Sequence, residues 1–448
     1  MEIFIDKYGG SSITSHEDVK RIKNICDDDK RRRIVVVSAP GKRYSYDNKV
    51  TDLLIELAKA ENLRRGELFK SIIERFKFIA SKTSQELISG LEKLLDEKIS
   101  KSIISGEAYL DRLKAFGEEA SARVVAEINN FYYIDPRELF LVSSEFGNAK
   151  ILPESGEMIR KKLGSLLEKT NQIFVIPGFF GSTDKKEIAT FSRGGSDLTG
   201  SYIASSLNAT LYENFTDREG IFSANPDIIE NPHKIDELTF DEMRDLSYSG
   251  FGIFHQEAVI PVQKARVPIH VRSTRDYPKN GTYIVVDRIL NSKNPIIGIA
   301  YRDKFCSFNV TNPGLNDRVG IIADVLTEFK KRKISIEHVA TGIDDISVIM
   351  NQTQFKGGLL NSVINGIYEL MNNEGKVGFT DNLGCLVVAG KGLKGNRGIA
   401  GQIQKELSDD GINIRFMSQG EQERCIIYGI NSEDGKKAVR CIYERYLI

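Results

Sequence analysis

Two glycine-rich segments of this chain carry residue types that hold anions. The first is Lys7-Tyr8-Gly9-Gly10-Ser11-Ser12, which follows the apolar run Ile3-Phe4-Ile5 and precedes a helical stretch containing Glu17-Asp18-Val19-Lys20. Glycines let the backbone approach phosphate oxygens, and a lysine beside them can neutralise phosphate charge. The same string also reads as a tight strand–helix turn with a surface lysine. The second segment is Ser192-Arg193-Gly194-Gly195-Ser196-Asp197, ahead of the apolar helix-forming stretch Leu198–Leu207. Arg193 offers a two-pronged grip on a carboxylate. The amides of Gly194, Gly195 and Ser196 form a second anion nest, and Asp197 either caps the helix or takes part in the site.

Several other chemistries are excluded by what the chain lacks. It has no Gly-x-x-x-x-Gly-Lys-Ser/Thr phosphate loop and no His-Arg-Asp/Asp-Phe-Gly pair. Gly390-Lys391-Gly392-Leu393-Lys394-Gly395 matches a dinucleotide fingerprint. The pattern after it returns to a small repeated unit, so a structural strand–helix turn is the better reading. The five histidines are scattered, and the five cysteines show no ligand spacing. No protein-held metal is expected. Lys+Arg and Asp+Glu both number 62, which argues against nucleic-acid binding by bulk charge. No apolar run approaches the roughly 20 residues a membrane helix needs, and Met1–Ile5 lacks a leader's apolar stretch. A cytoplasmic protein without membrane contact is expected.

The elements that must position these residues alternate. Ile34–Val37, Leu139–Val142 and Ile173–Ile176 read as strands, with a mostly helical stretch from Val50 to Ile128. Continuous apolar strands separated by helices predict a parallel α/β sheet covered on both faces. After a connector the texture changes. From Cys306 a β-α-β-β-α order occurs twice, offset by roughly 80 residues, predicting two small ferredoxin-like modules.

Taken together and in order, these motifs resemble the aspartate kinases. Lys7–Ser12 resembles their Lys-Phe-Gly-Gly-Thr-Ser, and Val35-Val36-Val37-Ser38-Ala39 their second strand. Phe116-Gly117-Glu118-Glu119-Ala120-Ser121 is similar to their Gly-Glu-x-x-Ser. Ser192–Asp197 resembles Gly-Arg-Gly-Gly-Ser-Asp. Phe215-Thr216-Asp217-Arg218-Glu219-Gly220-Ile221-Phe222 resembles Thr-Asp-x-Asp-Gly-Val-Tyr, and Val271-Arg272-Ser273-Thr274 resembles Val-Arg-Asn-Thr. The chain is identified on these motifs as a member of the monofunctional type with a tandem ACT region.

The resemblance implies an amino-acid kinase αβα sandwich at 1–280, a linker at 281–303, and two ferredoxin-like ACT domains at 304–380 and 381–448. The ACT units can be interleaved through the strand near 304–312. It implies transfer of the ATP γ-phosphoryl group to L-aspartate, the first step toward lysine, threonine and methionine. Lys7, Gly9, Gly10 and Ser11 would hold phosphate oxygens. Thr216, Asp217 and Phe222 would meet the nucleotide, with Mg²⁺ on its phosphates. Glu118 would take the substrate ammonium, Arg193 its α-carboxylate, and Ser38 and Ser196 would line the pocket. Asp197 would orient Lys7 or the phosphates. A feedback amino acid, lysine first and threonine second, would sit at Asn316, Asp317, Val319, Gly320, Ile321, Val339, Ala340 and Thr341. A homodimer or dimer of dimers through the ACT domains is implied.

Two stretches depart from the pattern. Ser249–Gln256 has Gly252 where the family often has lysine. Ser223-Ala224-Asn225-Pro226-Asp227 replaces Thr-Ala-Asp-Pro-Arg. Both lie on the nucleotide side and keep open an alternative: a non-catalytic amino-acid sensor with a decayed kinase domain.

Overall fold

In the computed structural model, which describes residues 2–81, 84–100, 106–192, 194–248, 256–290, 295–372 and 374–447, the apolar run ahead of the first glycine pair forms β1 (Phe4–Tyr8). Then follow α1 (His16–Asp28), β2 (Arg32–Val37), α2 (Val50–Lys59), α3 (Asn62–Ala80), α4 (Gln85–Ser100) and α5 (Glu107–Asn129). Next come β3 (Tyr132–Tyr133), α6 (Glu154–Ile159), α7 (Ser165–Lys169), β4 (Phe174–Pro177), β5 (Phe180–Ser182) and β6 (Ile188–Thr190). The remainder of this part holds α8 (Gly195–Ser206), β7 (Leu211–Thr216), β8 (Ile221–Phe222), β9 (Lys234–Ile235) and β10 (Glu237–Thr239). It closes with α9 (Phe240–Tyr248), α10 (Gln256–Ala265), β11 (Ile269–Ser273) and β12 (Thr282–Val285).

Eight strands form one sheet in the order β10-β12-β11-β7-β1-β2-β4-β3. The strands from β11 to β3 are mutually parallel. From β1 the chain passes to its neighbour β2 on one side, and from β7 to its neighbour β11 on the other, so the loops leaving β1 and β7 diverge. Ligands in open α/β sheets collect at such a switch, beyond the C-terminal strand ends. Strand alternation then sorts the side chains. Tyr8, Val35, Val37, Val175 and Phe215 join the core under α1–α5, with Ile22, Leu54, Phe76, Leu113 and Phe116. Lys7 and Asn214 are register partners on the opposite face, beneath α8.

The first face also buries a charge cluster that no motif signalled. Arg32 Nε meets Glu213 Oε2 at 2.6 Å and Asp6 Oδ2 at 3.6 Å, and Arg272 Nη1 meets Glu213 Oε1 at 3.1 Å. Burial and the neighbouring Glu213 push the Asp6 carboxyl well up, while Glu213 is held down at about 2 by its His270 and arginine partners. Buried charges need such pairing.

Leu139–Val142, expected as a strand, makes only two isolated bridges. The amides of Leu139 and Phe140 instead fold back onto the Pro136 carbonyl, continuing the turn that Pro136 starts. The stretch expected as a linker, 281–303, includes β12, an antiparallel neighbour of β11.

Two compact units divide the chain: residues 1–221, 234–240 and 252–288, and residues 222–233, 241–251 and 289–448. The second contains β13 (Gly298–Thr311), α11 (Ile321–Lys331), β14 (His338–Thr341), β15 (Asp345–Asn351), α12 (Leu359–Leu370) and β16 (Lys376–Ala389). After these come α13 (Ile399–Asp409), β17 (Phe416–Ser418), β18 (Cys425–Asn431) and α14 (Gly435–Tyr446). Its sheet order is β14-β15-β13-β16-β18-β17.

Two long strands are shared between the repeats. Phe305–Thr311 of β13 pairs with β15, while Gly298–Arg302 pairs only with the later half of β16, which itself pairs with β18. The register shifts between Arg302 and Phe305, beside Lys304 at φ 67°; Asn382 of β16 lies at φ 54°. The two modules are therefore interleaved, but it is residues 298–302 that join the second module. The strand around Cys306 stays with the first, in a core with Phe329, Val348 and Ile367. Among the described residues no helix is long and apolar enough to cross a membrane.

Candidate active site

The lysine of the first glycine segment is the penultimate residue of β1, and its backbone is held by β2 and β7 on either side. Its ammonium meets Asp197 Oδ1 at 2.6 Å, with the two side chains only 10% and 15% exposed. Asp197 lies in the first turn of α8, whose N-cap is Gly194 at φ 77°, so its carboxylate serves the lysine and does not cap the helix. The Asn214 amide nitrogen donates to the same Asp197 oxygen at 2.9 Å. The Tyr212 hydroxyl donates to the Asp197 carbonyl at 3.2 Å.

The loop after Lys7 is shaped by backbone-to-backbone contact. A Cβ on Gly10 would lie 2.5 Å from the Ala39 carbonyl oxygen and 3.0 Å from the Gly41 nitrogen. The Gly41 amide donates to the Gly10 carbonyl at 2.8 Å. The Gly9 amide is already committed to the Phe215 carbonyl at 3.1 Å, and the amides of Ser12 and Ile13 close onto Gly9 and Gly10. Among the described residues, Gly10 and Ser11 are thus left as the loop's amide donors. Gly9 has room for a Cβ, which would sit 3.7 Å from Lys7 Nζ. Its value is to leave the ammonium uncovered.

Because Gly10 has no space, we expect Gly10→Ala to force the first and second loops apart. Overpacking of this kind costs about 1–3 kcal/mol. A lowered melting temperature, together with a weaker apparent affinity for ATP, is the expected pair of results. Wild-type values for both would contradict this account of the loop.

Gly117 brings α5 against the second loop: a Cβ there would lie 2.8 Å from the Ala39 side chain. The next residue, Glu118, is buried, and one oxygen, Oε2, has no hydrogen-bond partner among the described residues. Burial pushes its carboxyl up to about 8, partly offset by the Ala39 amide. Ser38 is half-buried, and its amide donates to the Tyr8 carbonyl at 3.2 Å. Ser196 is buried against Gly178, where a Cβ would lie 2.7 Å from the serine Cβ. Thr216 and Asp217 bond one another at 3.0 Å on the loop leaving β7, and Ser12 Oγ meets Thr274 Oγ1 at 2.6 Å.

The structure therefore brings Lys7, Gly10, Ser11, Ser38, Glu118, Ser196 and Asp197 to the C-terminal ends of neighbouring strands. Phe222 falls in the second compact unit. Arg193, and Gly252 in the departing nucleotide-side stretch, lie outside the described residues. Asn214 was missed because no motif contains it. Its signal was an asparagine, a residue poorly suited to strands, in the interior of the strand Leu211–Thr216.

In the second unit, Gly320 is the N-cap of α11 at φ 82°. Asn316, Asp317, Val319, Gly320, Val339 and Thr341 are exposed, and Ala340 is half-buried. Ile321 is buried in the module's core, so its side chain is spent on packing. Gly390 and Gly392 of the dinucleotide-like string press on the backbone of Pro295, leaving no room for a ligand there. Among the described residues no group of three or more His, Cys, Asp or Glu could hold a metal ion.

Residues 2–273 match the amino acid kinase family, and residues 386–446 match the ACT domain. Aspartokinase 3 of Bacillus subtilis is 36% identical over 98% of this chain and 98% of its own length. Lysine-sensitive aspartokinase 3 of Escherichia coli is 24% identical over 99% and 98%. The crystal structure of Clostridium acetobutylicum aspartate kinase superposes with a TM-score of 0.85 at 31% identity, covering all of both chains.

Proposed function

This chain belongs to the amino acid kinase family and, within it, to the aspartokinases, and from that premise we propose how its residues divide the work of phosphorylating L-aspartate with ATP. The acceptor is the substrate's β-carboxylate, already a nucleophile at neutral pH, so no general base is required. Catalysis then rests on alignment and on neutralising phosphoryl charge. Lys7 supplies the cation, and Asp197 holds it. The Gly10 and Ser11 amides cradle phosphate oxygens, with Gly9 leaving the approach clear. Thr216 and Asp217 receive the nucleotide, which brings its own Mg²⁺. Arg193 clamps the α-carboxylate of aspartate, with Ser38 and Ser196 along the pocket. The observation that carries the substrate assignment is Glu118: a buried acid with an unpartnered oxygen matches the ammonium of an amino acid.

The regulatory reading is a feedback amino acid, lysine before threonine, in the cytoplasmic route to those amino acids. It is supported by the ACT match and by the lysine-sensitive relative from E. coli. The effector's carboxylate would meet the N-terminus of α11, and Asp317 its ammonium. Val319 and Ile343 are exposed apolar side chains on the same loops, suited to pairing of first modules across a two-fold axis in a homodimer or dimer of dimers. Residues 1–280 would act as the catalytic domain, with the modules beyond as the sensor.

Hydroxamate trapping of the acyl phosphate tests both halves at once. Product is expected with ATP, Mg²⁺ and L-aspartate, none with L-glutamate, and suppression by added lysine. Absence of product at millimolar aspartate would sink the kinase reading. Full activity under lysine, threonine and methionine would sink the regulatory one.

A further inference from the structure

The Lys7–Asp197 pair has a third member. Asn214 is 3% exposed and sits directly opposite Lys7 on the neighbouring parallel strand. Asn is poorly suited to strands, and a buried amide is costly unless it is bonded. Here its Nδ2 donates at 2.9 Å to Asp197 Oδ1, the oxygen that also takes Lys7 Nζ at 2.6 Å. Two donors converging on one oxygen from adjacent strands fix the rotation of the carboxylate. Because the carboxylate is fixed, so is the ammonium. A neutral donor does this at every pH without adding a second cation to compete for Asp197.

We propose that Asn214 is a positioning residue of the phosphoryl-transfer site, setting where Lys7 stands through Asp197. The proposal rests on the reading of Lys7 as the phosphate-holding cation. Among the described residues, Lys7 from β1 and Asp197 from α8 are the charged groups that face position 214. The Tyr212 phenol is bonded to the Asp197 carbonyl, and the register partner on β11 is Val271. No histidine faces it among these neighbours.

Two substitutions test this. Asn214→Leu removes the donor, and kcat should fall about 10- to 100-fold while the aspartate KM, set by groups the change does not touch, stays within about threefold. Asn214→Asp keeps the shape but sets two carboxyls against each other. At low pH one retains a proton and donates in place of the amide; as pH rises, both ionise and repel. At saturating substrates its kcat should approach wild type near pH 5.5 and fall at least about tenfold by pH 8.5, a descending limb absent from wild type. A merely structural Asn214 would alter melting without creating that limb.

Wild-type kcat in both variants across the pH range, with intact melting curves, would overturn the proposal. Should Asn214→Leu fail to fold, the isosteric Asn214→Asp profile decides alone. Calorimetric binding of a non-hydrolysable ATP analogue reads the same trio without turnover. Affinity that weakens with pH only in Asn214→Asp supports the assignment even if wild type forms no acyl phosphate, a result that would strike the reaction and leave the trio standing. Analogue binding with the pH dependence of wild type counts against it.

Discussion

Lys7→Met should lower kcat about 10³-fold while leaving a folded protein. Removal of a single transition-state donor in other enzymes costs about 10²–10³, and Lys7 carries a full charge. At 1.36 kcal/mol per decade, a loss of about 10³ is roughly 4 kcal/mol of barrier. A second effect works in the same direction. Without the ammonium, Asp197 stands as a sparsely exposed anion at the strand ends, repelling the phosphates that Lys7 had attracted. The double variant Lys7→Met/Asp197→Asn removes that repulsion and should recover part of the lost ATP affinity, but little of kcat. Steady-state hydroxamate kinetics with a melting curve for each variant checks this. A kcat within tenfold of wild type in Lys7→Met would remove the lysine from phosphoryl transfer.

Glu118→Gln should raise the aspartate KM about 10- to 100-fold, the range expected for a hydrogen bond to a charged group worth about 1.5–3 kcal/mol. It should also alter two pH dependences. Burial lifts the folded-state carboxyl from 4.5 to about 8. Between those values the folded protein holds a proton that the unfolded chain releases, so stability falls as pH rises through that window and levels off above it. Glutamine carries no such proton. The variant should match wild type near pH 5 and melt higher than wild type at pH 9.

Substrate binding reads the same group with the opposite trend. The ammonium of aspartate needs the carboxylate, so binding below pH 8 expels the Glu118 proton, and the wild-type KM should drop as pH rises from 6 to 8. Calorimetry in buffers of different ionisation enthalpy should detect that released proton in wild type and none in Glu118→Gln. A KM independent of pH in both proteins would detach Glu118 from the ammonium.

Much of the catalytic architecture was legible in the residues. Apolar runs that end in glycine pairs mark strands whose ends must approach something closely, and the Gly10–Gly41 contact gives the reason. The order of motifs also carried the family and the double module at the chain's end. Leu139–Val142 misled, because an apolar run says nothing about whether its amides find a neighbouring strand or, as here, a turn begun by Pro136. The sharing of β13 and β16 was harder still. Pairing partners separated by some 80 residues are selected by the bends at Lys304 and Asn382, not by local composition.

What the sequence by itself determined, then, is the set of chemical groups and the strand ends that carry them: a lysine, an acid, an arginine and two glycine loops. Only the tertiary structure decided their partnerships. Asp197 turned from a possible helix cap into the counterion of Lys7, because α8 packs over the face of β1 on which Lys7 projects. The Gly9 amide, which the sequence leaves free to hold an anion, is taken by the Phe215 carbonyl. Asn214, distant in the chain and part of no motif, was added by strand register. Charge and hydrogen-bond capacity belong to the residue, but their use depends on distances of about 3 Å that only the packed sheet sets.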